Sequence, residues 1–200
     1  MTCPWAVLSL RRLRRRNTSW ADEVDADQRL QWGDPRLLIT VKLEYVGCEQ
    51  ISARELFLLD APDSSSVQGL PLLNSFVCLL AWNSEDSTVD EIAALATSIL
   101  AAGCAYICCW GPRCELVHDI FDEVHVGFGE PQPMVISTWH SEEPLAEALW
   151  FALFAAIPDE RREPCRAVVG ISVANSSWAA EMRDAMRDPA AFSAAVCGNG

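Results

Sequence analysis

Between Phe76 and Met186 the chain repeats one pattern four times: a short apolar run, a break, then apolar residues at helical spacing. The runs are FVCLLAW (76–82), AYICCW (105–110), MVISTW (134–139) and AVVGISV (167–173). Largely continuous apolar runs of this length suit strands covered on both faces. After the first, Thr88-Val89-Asp90-Glu91 has the form of a capping box, a hydroxyl and a carboxylate satisfying free amides at a helix start. Val89, Ile92, Ala93, Ala96, Ile99 and Leu100 then form one stripe, and Gly103 supplies the left-handed stop. Leu116, Val117, Ile120, Phe121 and Val124 stripe a second helix over 113–124. Pro144 opens a third, 144–157, and Trp178, Met182, Ala185 and Met186 mark a last one that Pro189 ends. This alternation predicts an α/β fold, a three-layer sandwich around a mostly parallel sheet of four β-α units.

One or two extra strands precede these units. Ile39, Val41, Leu43 and Tyr45 alternate with polar residues over 36–45, the period of a half-buried strand, and Glu55–Leu59 reads as another. Residues 1–35 carry an arginine cluster, an acidic patch and Gly33-Asp34-Pro35, and are expected to be a disordered extension. A single α/β domain is expected over 36–190, with a flexible tail over 191–200.

The net charge of −13 conceals an asymmetry. Arg11–Arg16 holds five of the fifteen basic residues, and the first acidic one is Asp22, so the chain beyond residue 20 carries ten basic against 28 acidic groups. Such an acidic body repels phosphate backbones and argues against nucleic acid as a partner. No apolar stretch approaches the ~20 residues a membrane span needs. The apolar Trp5–Leu10 precedes the arginines, the reverse of a secretory signal. Four of the nine cysteines (Cys78, Cys104, Cys108 and Cys109) lie inside or beside apolar runs, so a reducing cytoplasm is the expected setting.

Right-handed crossovers bring the loops after parallel strands to one edge of the sheet, where ligands of open α/β sheets bind. Trp82, Trp110 and Trp139 end three of the runs. The sequence therefore predicts a cleft lined by three indoles, with Asn83, Gly111, Glu142 and Glu143 as further ligand contacts. The competing reading is that each tryptophan seals the core with its body and wets only its N–H. For catalysis the candidates are His140, at a strand end among acids, with Glu115 or Asp86 to orient it. Glu142 and Glu143 also sit where a helix start favours negative charge, which requires no chemistry.

Glu115, His118, Asp119 and Asp122 fall at i, i+3, i+4 and i+7, one polar stripe of a helix, near Cys114. Zinc favours tight pairs such as CxxC or HxxxH, and none is present, so a solvated face is the better reading and no metal is assigned. The glycines are too sparse for a phosphate cradle, and Ser137 and Ser141 lack a nucleophile-elbow context. No cofactor is implied. The helix segment ALWFALFAAI (148–157) is apolar all round and must be covered, by the N-terminal strand region or by a second copy in a homodimer.

GCAYICCWGPRCELVHDIFDE and VISTWHSEEPLAEALWFALFAA, with Trp110-Gly111, Thr138-Trp139-His140 and Glu143-Pro144-Leu145 as their most specific blocks, resemble a bacterial family classed only as a domain of unknown function. The similarity covers roughly 54–173 and carries no activity. The expected function is a non-catalytic binding module for a small ligand or a protein. The alternative is a small hydrolase or glycosidase-like enzyme using His140 with a nearby carboxylate.

Overall fold

The computed structural model describes residues 43–73, 75–129, 134–158 and 165–198. The extension expected over 1–35 lies outside them, as does most of the strand read over 36–45. Within the described part β1 (Glu44–Glu49) pairs antiparallel with β2 (Arg54–Ala61). Tyr45, expected on the buried side, is 58% exposed and lies edge-on to Phe57. β1 is a sheet edge, so a side chain there has a neighbour on one flank only.

The four repeats become β3 (Phe76–Trp82), α1 (Val89–Ala101), β4 (Cys104–Trp110), α2 (Cys114–Gly127), β5 (Ile136–His140), α3 (Leu145–Trp150), β6 (Ala167–Val173) and α4 (Ser176–Arg187). The capping box of α1 forms as its sequence requires: Thr88 Oγ1 accepts the Glu91 N–H, and Glu91 takes the Thr88 N–H at 2.8 Å. Gly103 follows α1 at φ 102°. Val89, placed on the buried stripe by spacing, is 56% exposed, and Leu95 takes part in the core instead.

One six-stranded sheet results, in the order β1-β2-β6-β3-β4-β5, parallel throughout except for β1. Each buried strand sends alternate residues to opposite faces. Phe76, Cys78, Leu80 and Trp82 meet Ile92, Leu95, Ile99 of α1 and Val117, Ile120, Phe121 of α2. Val77, Leu79 and Ala81 meet Leu145, Ala148, Leu149 of α3 and Ala179, Met182, Met186 of α4. The helices therefore form the two outer layers expected of a three-layer α/β sandwich. α4 approaches β6 closely at Gly170, where a Cβ would stand 3.0 Å from the Met186 methyl.

Two features depart from the sequence reading. α4 stops at Arg187, ahead of Pro189 as expected, but the same proline opens α5 (Pro189–Gly198), where a flexible tail was expected. The Asp188 carboxylate accepts the Ala191 N–H at 3.0 Å, and proline tolerates the first helical position because its missing N–H would be unpaired there. The apolar segment after α3 winds into a π-helical turn, Phe151–Ala155, closed by Ala156 N–H to the Phe151 carbonyl at 2.8 Å. The π turn packs on β3, while α3 before it is covered by α4 and α5, with Trp150 Nε1 donating to Ser193 Oγ at 2.9 Å and Phe192 packed against the same core. No described helix is long and apolar enough to cross a membrane.

Candidate functional site

The carboxyl ends of the parallel strands share one rim, and the loops after β3 and β4 are locked together there. Gly111 sits at φ 111°, and a Cβ on it would lie 2.5 Å from the Trp82 carbonyl oxygen. Glycine is therefore required both by conformation and by the approach of the two chains. Buried Ser84 donates its N–H (3.4 Å) and Oγ–H (3.2 Å) to the Pro112 carbonyl. Arg113, held at φ 61°, returns its guanidinium to the Ser84 and Glu85 carbonyls at 3.3 and 3.0 Å. Trp110-Gly111-Pro112 thus exists to cross-link two rim loops.

The three indoles share the rim but no cleft. Trp82 is buried against the α1–α2 layer. Trp110 faces the opposite layer, edge-on to Trp178 at 5.0 Å, and its Nε1–H donates to the Glu143 carbonyl at 2.8 Å. Trp139 returns to the α2 side, 50% exposed, its ring 4.7 Å from that of His118. The predicted three-walled cleft is replaced by two core seals and one accessible indole, because residues 82 and 139 on one face and 110 on the other follow the strand alternation.

His140 is nearly buried and fully engaged. Its Nδ1 meets the Glu143 carboxylate at 2.5 Å, its Nε2 lies 3.2 Å from Thr138 Oγ1, and its ring packs on Phe151. Neither predicted orienting carboxylate is its partner. Glu115, in the first turn of α2, faces Ser141 Oγ at 3.5 Å, and Asp86 is exposed in the turn before α1. Asn83 is exposed and uses its Oδ1 to accept the Glu85 N–H at 3.1 Å. Glu142 is exposed. Thr138 also hydrogen-bonds toward Tyr106 and Cys108. Burial pushes the Cys108 thiol up to about 12, against the opposing pull of that hydrogen bond, so the thiol stays protonated and unreactive. Burial likewise raises Cys114, whose sulfur lies against the His140 backbone amide.

A second polar group occupies the α2 face of β5. Ser137 Oγ lies 3.0 Å from His118 Nε2 and donates to Asp122 Oδ1 at 2.6 Å. His118 Nδ1 meets Asp119 Oδ1 at 3.0 Å, and Asp122 Oδ2 stands 3.7 Å from Nε2. Spacing along the sequence places His118, Asp119 and Asp122 on one stripe of α2 but does not by itself join them to Ser137. The signal was available in alternation: Ser137 and Trp139 share a face of β5, and the helix preceding β5 in a right-handed crossover covers that face.

Neighbouring loops part to opposite faces between β6 and each of its neighbours, β2 and β3, and between β4 and β5. From β4 the chain enters α2 on one layer and from β5 it enters α3 on the other. Such divergence opens the crevice in which ligands of α/β sheets bind. The loops at the β4–β5 divergence carry Gly111, Glu115, Ser141 and Glu142 beside the exposed Trp139, while His140 turns its ring onto Phe151; those at the β6–β3 divergence carry Asn83 and Asp86.

The family described as Domain of unknown function (DUF7684) matches residues 57–189 of this chain. The chain belongs to that family. The DUF7684 match begins within β2 and runs through α4, so it includes both faces of β5 and the whole of β3, β4, β5 and β6. None of the curated proteins matches the chain.

Proposed function

We propose that the domain is a binding module whose contact surface is the β4–β5 end of the rim, and that its partner there is a cationic protein segment. Trp139 carries this reading. A half-exposed indole, braced by His118 beside the Asp119 and Asp122 carboxylates that flank that ring, presents a π face in a negative field. Arginine satisfies both features at once, through stacking on the indole and charge pairing with the carboxylates. The excess of acidic over basic groups beyond residue 20 reinforces attraction of a basic partner.

The hydrolase reading centred on His140 loses ground to this one. A base must present a free nitrogen to its substrate. Both ring nitrogens of His140 are committed within the fold, and Glu143 is pinned through its backbone by Trp110 as well as through its side chain. His140 is better explained as a strut that fixes the β5–α3 turn. A cytoplasmic setting accords with the buried thiols of Cys78, Cys108 and Cys109, which form no disulfide.

The test is titration of a short arginine-rich peptide by calorimetry. Trp139→Ala is expected to weaken binding by about 5- to 30-fold, the equivalent of ~1–2 kcal/mol for an arginine–indole contact. Equal affinity of wild type and variant would remove Trp139 from the contact surface.

A further inference from the structure

We propose that Ser137 is a nucleophile for acyl transfer, with His118 as its general base and Asp119 as a positioning residue. The order of atoms is the one such chemistry needs: hydroxyl, imidazole, carboxylate, each pair at 3.0 Å. Three segments converge to make it. Alternation along β5 turns Ser137 toward α2, helical spacing places His118 and Asp122 one turn apart facing β5, and Asp119 follows His118 on the solvent side. With Nδ1–H donated to Asp119, the His118 lone pair is on Nε2, the atom that faces Ser137. The Trp139 ring, its centroid 4.7 Å from that of His118 in a T-shaped contact, limits rotation of the imidazole.

In the resting state the Ser137 hydrogen points to Asp122 at 2.6 Å. Rotation about the Cβ–Oγ bond carries it from Asp122 to His118 Nε2. On an ester, Ser137 Oγ bonds to the carbonyl carbon while its proton passes to Nε2. The C–O bond to the leaving alcohol then breaks, and the alcohol departs with the proton from Nε2. Water repeats the sequence on the acyl-serine, releasing the acid and regenerating the hydroxyl. The imidazolium formed in each step is flanked by Asp119 and by Asp122, 3.7 Å from Nε2. Among the described residues β5 pairs with β4 alone, so alternate amides along its outer edge have no strand partner and could serve as oxyanion donors.

The surroundings set the substrate class. Asp119 and Asp122 are 71% and 53% exposed beside a half-exposed indole, which favours neutral or cationic esters with a planar portion and disfavours anionic ones. The competing account is that the same bonds only stitch α2 to an edge strand; that role predicts stability without reactivity.

The inference goes beyond the binding reading and is tested without any partner. The full chain is treated with a fluorophosphonate, in which serine attack expels fluoride, and the adduct is mapped by peptide mass spectrometry. A single adduct on Ser137 is expected, absent from Ser137→Ala. His118→Ala is expected to slow labelling at least ~100-fold. Asp119→Asn should slow it by less, and Asp119→Glu should recover part of the loss. Mapping on the wild-type chain does not depend on any variant folding. No adduct at Ser137 under conditions that label a known serine hydrolase would overturn the proposal. So would labelling whose rate is indifferent to His118→Ala.

Discussion

Gly111 ties the rim together by having no side chain. Any Cβ at this position meets the Trp82 carbonyl at 2.5 Å and must also adopt φ 111°. Neither demand is relieved by a rotamer change, since the obstructing atom is backbone. Gly111→Ala is expected to destabilise the fold by about 2–4 kcal/mol, read as a lower denaturant midpoint with unchanged slope. A change within ~0.5 kcal/mol, the range of ordinary surface substitutions, would mean that the loops after β3 and β4 are not in contact. His140 belongs to the same scale and illustrates the limit of reading roles from residue types. A histidine at a strand end followed by two glutamates looks catalytic in sequence; the structure brings it Glu143 and Thr138 and buries its ring. What sequence alone lacks is whether the imidazole turns toward the loop crevice or back onto α3, and that is decided by Phe151 in the following helix.

Among elements, the β1–β2 turn shows how a single carboxylate can hold a connection. Glu49 accepts the N–H groups of Ile51 (2.7 Å) and Ser52 (2.6 Å) and the Ser52 hydroxyl at 2.5 Å. Burial alone would raise its pKa, but these bonds to the charged form outweigh it and the value lies below the usual 4.5. Because the folded value is depressed, the stabilisation is fully present above the unfolded value and is lost as pH falls through the folded one. Glu49→Gln should therefore cost about 1–2 kcal/mol near neutrality, and the difference from wild type should shrink below about pH 4.5. A difference independent of pH would show that the carboxylate charge contributes nothing. α5 is the element that spacing missed. Asp188-Pro189 carries both a stop for α4 and an N-cap with N1 proline for the next helix, and only the stop was read. Deleting residues 189–200 should uncover Trp150 and Phe192's packing site, red-shifting tryptophan emission and lowering the melting temperature. An unchanged melting temperature would mean that α5 covers nothing.

For the whole molecule, the strand–helix rhythm announced the α/β class and the parallel pairing because each signal is local: a continuous apolar run, a capping box, a glycine stop. The order of the strands is not local. β6 returns across the sheet to pair with both β2 and β3, and AVVGISV contains nothing that distinguishes a central strand from the next one in line. The consequence falls on the site. Since β5 is left at the edge, Ser137 and Trp139 reach solvent on one face, while His140 on the other is sealed by α3. Three tryptophans ending three runs were legible; their alternation between faces required the registers β3–β4 and β4–β5, in which Ala81 pairs with Trp110 and Trp110 with His140. The two faces of β5 therefore divide the work, contact on the α2 side and support on the α3 side.

That division is tested most directly by measuring affinity for the arginine-rich peptide and thermal stability side by side in Trp139→Ala and His140→Ala. The expected result is a crossed pattern. Trp139→Ala loses about 5- to 30-fold in affinity with stability within ~0.5 kcal/mol of wild type. His140→Ala loses about 1–2 kcal/mol of stability with affinity unchanged. Loss of affinity in His140→Ala at full stability, with Trp139→Ala indistinguishable from wild type, would contradict it.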